Sequence, residues 1–392
     1  MQGSERYRIA CKESVLVKLP VYLDYNATTP VDPAVVESML PFLTDHWGNP
    51  SSAHRYGATA GEAVAGARRQ VATLVACRPE EVVFTACASE SDNMAIKGIA
   101  FAQPGHKGHM VTSAVEHPAV LNACRYLEQE FGFGLTVVPV GPDGRVDPAD
   151  VARAVRPDTF LISLMHAQNE TGVLQPVAEV GALARERGIC FHVDAAQSVG
   201  KIPVSVDELR CDLLTVAGHK LYAPKGVGAL YVRKGVALHP LVHGASYEGG
   251  RRAGTANVPY AVALGKACEL AGEKLAAGEA ERQTALRDRL HELLAERLPT
   301  RLNGHVSLRL PNTLNLSVVG AVGNDLLAAV PEVAASTGSA CHAGVSRPSD
   351  ALLAMGVAPE VALGALRLSL GRYSTLEEVE FAAERLVAAA SR

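Results

Sequence analysis

From about residue 82 to residue 232, short apolar runs alternate with amphipathic segments, and this alternation limits the possible folds more than any other feature. The runs at 82–84, 110–112, 135–140, 160–165, 189–193, 213–216 and 227–232 read as buried strands. The segments at 90–101, 119–130, 148–155 and 177–188 read as helices. Pro148 and Asp150 open the third and Gly188 closes the fourth. Strands alternating with helices of this length imply an α/β fold whose mostly parallel sheet is covered on both faces. After Tyr260 the pattern changes. Residues 261–298 read as one long helical region, followed by a strand-like 313–319, a helix near 325–329, a Ser/Gly/Ala loop at 336–344 and a C-terminal helix from Leu376. That order suggests a second, α+β domain.

At 392 residues the chain suits two domains or one large one, and it can bury a core without disulfide or metal staples. With aromatics at only 5%, the core must be built from Ala, Val and Leu. A net charge of −4 argues against a nucleic-acid surface or a polybasic membrane patch. No apolar run reaches membrane-spanning length, and the first twenty residues lack the apolar core of a signal peptide. Eight cysteines without a CxxC pair suggest free thiols in a reducing cytosol rather than a zinc ribbon or disulfide framework.

Several segments could carry chemistry, and each also has a plain structural reading. Lys220 directly follows an apolar strand in Gly218-His219-Lys220, which puts it at the sheet edge where open α/β folds bind ligands. It could form a Schiff base or be a solvated loop lysine. Asp194 ends the strand in His192-Val193-Asp194-Ala195-Ala196-Gln197. It could pair with a protonated pyridine nitrogen, with Gln197 on the phenolic oxygen of the same ring, or it could cap a helix. Ala88-Ser89-Glu90 lies where a helix begins after a strand, so its N–H groups could bind a phosphate or simply be capped. His117 and Asn169 each follow a strand: His117 could stack on a flat ring or shuttle protons, or be a surface histidine, and Asn169 could contact a cofactor or substrate, or form a turn. Cys341 sits among small polar residues, as a reactive thiol would, whereas Cys124, Cys190 and Cys268 sit in apolar patterns. Arg367 interrupts an apolar strand in Leu366-Arg367-Leu368. It could clamp a substrate carboxylate or form a structural ion pair.

In family order and at family spacing, these motifs resemble the cysteine desulfurases that depend on pyridoxal 5′-phosphate, in the group with a long catalytic-cysteine loop. The resemblance runs from Tyr22-Leu23-Asp24-Tyr25-Asn26-Ala27-Thr28-Thr29-Pro30 to Leu368-Ser369-Leu370-Gly371-Arg372. It implies the fold-type I, aminotransferase class V architecture, with a seven-stranded, mostly parallel large-domain sheet. It also implies a large cofactor-binding domain at 32–275, and a small domain from 1–31 and 276–392 that carries the cysteine loop. Lys220 would hold the cofactor as a Schiff base, with Asp194 at the pyridine nitrogen, Gln197 at the phenolic oxygen, His117 over the ring and Asn169 beside it. Ala88, Ser89 and His219 would line the phosphate site, and Thr255 would reach the phosphate of the other subunit of a homodimer. Arg367 would bind the carboxylate of L-cysteine. Cys341 would take its sulfur as a persulfide, leaving L-alanine, and pass it to an acceptor protein in iron–sulfur cluster, thio-cofactor or thiolated-tRNA synthesis. A cytoplasmic enzyme without membrane or nucleic-acid partners is expected.

The sequence departs from the family pattern in four places. Ser89 replaces a threonine, and Ala217 replaces a serine that bonds the phosphate in many members. Gly249 stands where an arginine is usual, and no docking extension for an iron–sulfur scaffold is expected beyond Arg392. Three other readings stay open: a selenocysteine lyase, another lyase or aminotransferase on the same fold, and a non-catalytic scaffold.

Overall fold

The computed structural model describes residues 6–8, 16–338 and 347–391. Seven strands build the main sheet: β1 (Val82–Thr85), β2 (His109–Ser113), β3 (Gly134–Val138), β4 (Thr159–Met165), β5 (Cys190–Asp194), β6 (Leu213–Ala217) and β7 (Gly228–Val232). Their order across the sheet is β1-β7-β6-β5-β4-β2-β3. The five strands from β3 to β6 run parallel, and β7 is antiparallel to both of its neighbours, β6 and β1. Two reversals cancel, so β1 points the same way as β6. The C-terminal ends of β1, β2, β4, β5 and β6 therefore share one edge.

Every residue of β6 and β7 is buried, which is why both read as apolar runs rather than as alternating strands. The sheet faces still separate with a period of two. Val83, Met110, Leu161 and Leu213 pack against α2 (Ala88–Phe101) and α3 (Pro118–Phe131). Their neighbours Val82, Val111, Ile162 and Leu214 pack on the opposite face against α5 (Val177–Arg187) and α6 (Val258–Ala276), with help from α1 (Arg55–Leu74) and α4 (Pro148–Ala154). Gly132 and Gly188 close α3 and α5 in the left-handed conformation, at φ 72° and 66°.

The region 261–298 is not one helix. Helix α6 ends at Ala276, and α7 (Glu279–Ala295) starts after Gly278, whose φ of 84° no helix interior accommodates. A second core lies beyond this break. Helices α7 and α8 (Leu376–Ala390) pack on an antiparallel sheet of β8 (Thr300–Leu302), β9 (Thr313–Val318) and β10 (Ala365–Ser369). Leu314, Leu316, Leu366 and Leu368 meet Leu290, Leu294, Val379 and Leu386 there. Alternation puts Asn315 and Arg367, which are register partners, on the other face of this sheet. The N-terminal segment joins the same core through Val21 and Leu23, and Val21–Tyr22 pairs in parallel with Val333–Ala334.

Among the described residues no helix is long and apolar enough to cross a membrane, and no cluster of His, Cys, Asp and Glu could hold a metal ion.

Candidate active site

A cavity of about 270 Å³ opens at the shared C-terminal edge of the main sheet. Ala88, Ser89, His117, Asn169, Asp194, Gln197, His219, Lys220 and Arg367 all line it, although they are scattered over the sequence. Thr255 does not; it is exposed on the loop before α6. Cys341 lies outside the described residues.

Lys220 reaches the cavity because the chain turns sharply where β6 ends, in a single turn of 3-10 helix at Gly218–Lys220. A Cβ on Gly218 would meet the Val227 carbonyl oxygen at 2.6 Å, so glycine is required at the pivot. Desolvation holds the Lys220 amine below the usual lysine range. The carboxylates of Asp194 and Asp92 oppose that shift, and the Arg367 guanidinium adds to it.

Asp194 ends β5 and is 6% exposed. Its Oδ1 accepts the Ala196 N–H at 2.9 Å, so the capping role and a place in the cavity wall coexist in one carboxylate. His117 caps α3: its Nδ1 accepts the Ala119 N–H at 3.1 Å, which leaves Nε2 as the protonated atom of a neutral ring. Desolvation keeps this ring neutral by lowering its pKa against the pull of Asp194.

Helix α2, which also lines the cavity, begins at Ala88. Its N-cap, Cys87, makes no side-chain capping bond. The first N–H groups of a fourteen-residue helix thus face the cavity beside the Ser89 hydroxyl, an arrangement that attracts an anion. Glu90 would oppose an anion here, but its carboxylate accepts the Ala86 N–H at 2.7 Å and pairs with Arg252 at 2.9 Å. His219 adds a ring held by Thr28 at 3.2 Å, and burial with the nearby lysines pushes its pKa down to about 4.

Arg367 projects from the polar face of β10, and it forms the structural ion pair while remaining at the cavity. Its Nη2 donates to Asp24 at 2.8 Å and its Nη1 to the Asn169 carbonyl at 3.3 Å, while the side chain still lines the cavity.

Residues 21–381 match the family described as aminotransferase class-V. The chain belongs to that family. It is 48% identical over 370 residues to the cysteine desulfurase IscS of Anaeromyxobacter dehalogenans (strain 2CP-C), covering 93% of this chain and 91% of that protein. Among solved structures it resembles a NifS-like protein at TM-score 0.88 and 37% identity, covering 94% and 99% of the two chains. It also resembles SspA in complex with cysteine at TM-score 0.80 and 38% identity, covering 90% and 99%. The fold of this class-V chain is fold-type I, as the motifs imply, and its cofactor is pyridoxal 5′-phosphate.

The cavity fits that cofactor by its donor set. An uncapped helix N-terminus with a hydroxyl suits a phosphate, a buried carboxylate suits a protonated ring nitrogen, and a desolvated amine in the same cavity suits an aldehyde carbon. Two of the departures from the family pattern are accommodated. Ala217 is buried in β6 and is not part of the cavity lining. Gly249 adopts φ 65°, which glycine permits without strain, and the preceding Glu248 anchors the segment by a two-point ion pair to Arg68 at 2.7 and 2.8 Å.

Sequence reasoning missed two polar wall residues. Asp92 is 1% exposed, and its Oδ1 lies 3.7 Å from His192 Nε2. Burial and the Asp194 carboxylate push the Asp92 carboxyl well above its usual range, while His192 is pushed down to about 4 and stays neutral. In sequence Asp92 is hidden inside Ser91-Asp92-Asn93, which reads as capping. Asn26 was seen only as part of a longer motif, yet it ties itself to three other chain segments by side-chain hydrogen bonds to Asn312 and Thr313, to Lys201 and to the Asn169 carbonyl.

Proposed function

We propose that Lys220, Asp194, His117, Arg367 and Cys341 perform the chemistry of a cysteine desulfurase in this chain. The activity is the pyridoxal-phosphate-dependent removal of sulfur from L-cysteine to give L-alanine. The observation that carries the assignment of residues is the meeting of Lys220, Asp194 and the open N-terminus of α2 in one cavity.

The cofactor, when bound, supplies an electron sink for the charge left on Cα as its proton departs. Ala88, Ser89 and His219 would hold its phosphate, and Gln197 and Asn169 its ring substituents. Asp194 would pair with the protonated ring nitrogen. Arg367 receives the substrate carboxylate, which fixes Cα near Lys220. The Lys220 Nζ, uncharged more readily than an ordinary lysine, takes the Cα proton and later returns one to the alanine product. The neutral His117 offers its Nε2–H for proton movement at the substrate. The Cys341 thiolate attacks the substrate sulfur. Its S–S bond forms as the substrate C–S bond breaks, and the bonding pair stays with the carbon skeleton that becomes alanine. The resulting persulfide passes to an acceptor protein of iron–sulfur, thio-cofactor or thiolated-tRNA synthesis.

We assign residues 32–275 to the cofactor-binding unit, and 1–31 with 276–392 to the smaller one; the two separate cores support that division. The reading includes a cytoplasmic homodimer, and the exposure of Leu40, Leu43, Trp47 and Tyr56 in one stretch of chain supports the dimer. In such a dimer Thr255 would reach the partner's phosphate site.

The test is alanine release from L-cysteine, run in parallel with L-selenocysteine and a reducing thiol. Lys220→Ala purifies without the yellow colour of the loaded protein, and Cys341→Ala keeps the colour; both lose alanine release. Full desulfuration by Cys341→Ala would displace the thiol assignment. Turnover of selenocysteine alone would displace the substrate.

A further inference from the structure

Behind Gln197 lies a lysine that the proposed chemistry does not use. Lys201, four residues further along the chain, donates from Nζ to Gln197 Oε1 and to Asn26 Oδ1, both at 2.8 Å. Gln197 Nε2 donates to the Asn26 carbonyl at 3.0 Å. A carbonyl can only accept, so the contact with the Asn26 carbonyl fixes which end of the carboxamide is nitrogen and leaves its oxygen on Lys201. Gln197 is 3% exposed and lines the cavity. With Oε1 turned back to Lys201, the second N–H of Nε2 is left for the cavity.

We propose that Lys201 is a positioning residue: it pins the Gln197 carboxamide with an N–H toward the phenolic oxygen of the bound cofactor. The proposal rests on the assignment of Gln197 made above. Removing the Lys201 nitrogen leaves Oε1 buried without a donor, and the amide escapes that cost only by turning, which takes its N–H off the cavity. Desolvation and the neighbouring Lys220 and Arg367 hold the Lys201 amine well below the ordinary lysine range, and it donates to both oxygens in either charge state. The same nitrogen ties Gln197 to Asn26. Asn26 in turn accepts from Asn312 at 3.0 Å and donates to the Asn169 carbonyl at 3.3 Å, where Arg367 also donates. One lysine therefore braces both the ring end and the carboxylate end of the cavity.

The readout is the pH midpoint at which the visible absorption of the loaded, resting protein changes. This band reports the Schiff-base proton, which competes with any donor for the phenolic oxygen. The groups that face Lys220 are Asp194, Asp92, Arg367, His117, His219 and Lys201, and all but Lys201 are left in place. Loss of a donor to a charged oxygen raises the midpoint by about one pH unit. Lys201→Met is expected to raise it by that amount, and Gln197→Ala by a similar amount. In the Gln197→Ala background Lys201→Met should add almost nothing, because one acts through the other. Lys201→Gln, which keeps a donor but can present either end of its amide, should fall between, and it serves if the methionine variant does not fold. A midpoint moved by Gln197→Ala but by neither Lys201 variant would overturn the role of Lys201 and leave that of Gln197. A midpoint unmoved by Gln197→Ala would overturn both. Full additivity in the double variant would show that Lys201 acts by charge alone and would also overturn the proposal.

Discussion

Arg367 tests whether one guanidinium both holds the fold and selects the substrate. Of its five N–H donors, one goes to Asp24 and one to the Asn169 carbonyl, and Nε has no partner among the described residues. Capacity for a carboxylate at the cavity therefore remains. Arg367→Gln removes the charge while keeping a planar amide of moderate size. A hydrogen bond to a charged group contributes about 1.5–3 kcal/mol, which is roughly a 10- to 150-fold fall in kcat/KM for L-cysteine. The control is the methyl ester of L-cysteine, which has no carboxylate. The parent enzyme should prefer the acid to the ester by a similar factor, and the variant should lose that preference. Asp24→Asn removes the other half of the ion pair and should lower stability with little effect on the preference. Were Arg367→Gln to keep the acid-over-ester preference and lose only stability, as Asp24→Asn does, the residue would be a structural ion pair and the clamp assignment wrong.

Three further outcomes follow from the packing and electrostatics. Burial pushes the Glu116 carboxyl up to about 8 although it accepts from Ser113 Oγ at 2.6 Å and the Met165 N–H at 3.0 Å. Between its unfolded value near 4.3 and about 8 the folded apo-protein holds the extra proton, so its stability declines as pH rises by up to about 1.4 kcal/mol per unit. Glu116→Gln should flatten that decline in urea unfolding at about pH 5 and about pH 7.5, and parallel profiles would refute it. Leu368→Ala, at a fully buried position of the second core, should cost roughly 2–5 kcal/mol in the same assay. Glu248→Gln gives up a two-point ion pair with Arg68 and should cost roughly 1–3 kcal/mol, read from the shift of the urea midpoint; an unchanged midpoint would mean that the loop at 248–250 is anchored elsewhere.

The central sheet was legible because its strands are buried on both faces and so appear as compact apolar runs such as Leu213–Ala217. Helix starts were legible where a cap announces them, as at Pro118, but α2 begins at Ala88 rather than at the acidic Glu90. The missing cap that hid its start is the same feature that leaves its N–H groups open to an anion. The break at Gly278 was hidden because residues on both sides have high helix propensity, and only a backbone angle separates the two helices. Lys220, Asp194 and Arg367 could be found from position, since each sits at a strand end or interrupts an apolar strand. Asp92, Asn26 and Lys201 could not. Their importance comes from pairings across the chain, such as the bond between Lys201 and Asn26, and no local pattern encodes these.

Asp24 and Arg367 are separated by 343 positions, and Val21–Tyr22 finds its strand partner only at Val333–Ala334. At ribosomal speeds of about 5–20 residues per second, roughly 17–70 seconds pass between the emergence of Asp24 and that of its partner. Throughout that time Val21 and Leu23 are in solution without the core that later buries them. The main sheet can close first, because its last strand ends at Val232. The segment around Val21–Leu23, made ahead of the main sheet, is thus among the last to be folded in. A stalled or truncated chain would present a finished sheet with a bare apolar segment around Val21 and Leu23, which is what a chaperone binds and a protease cuts.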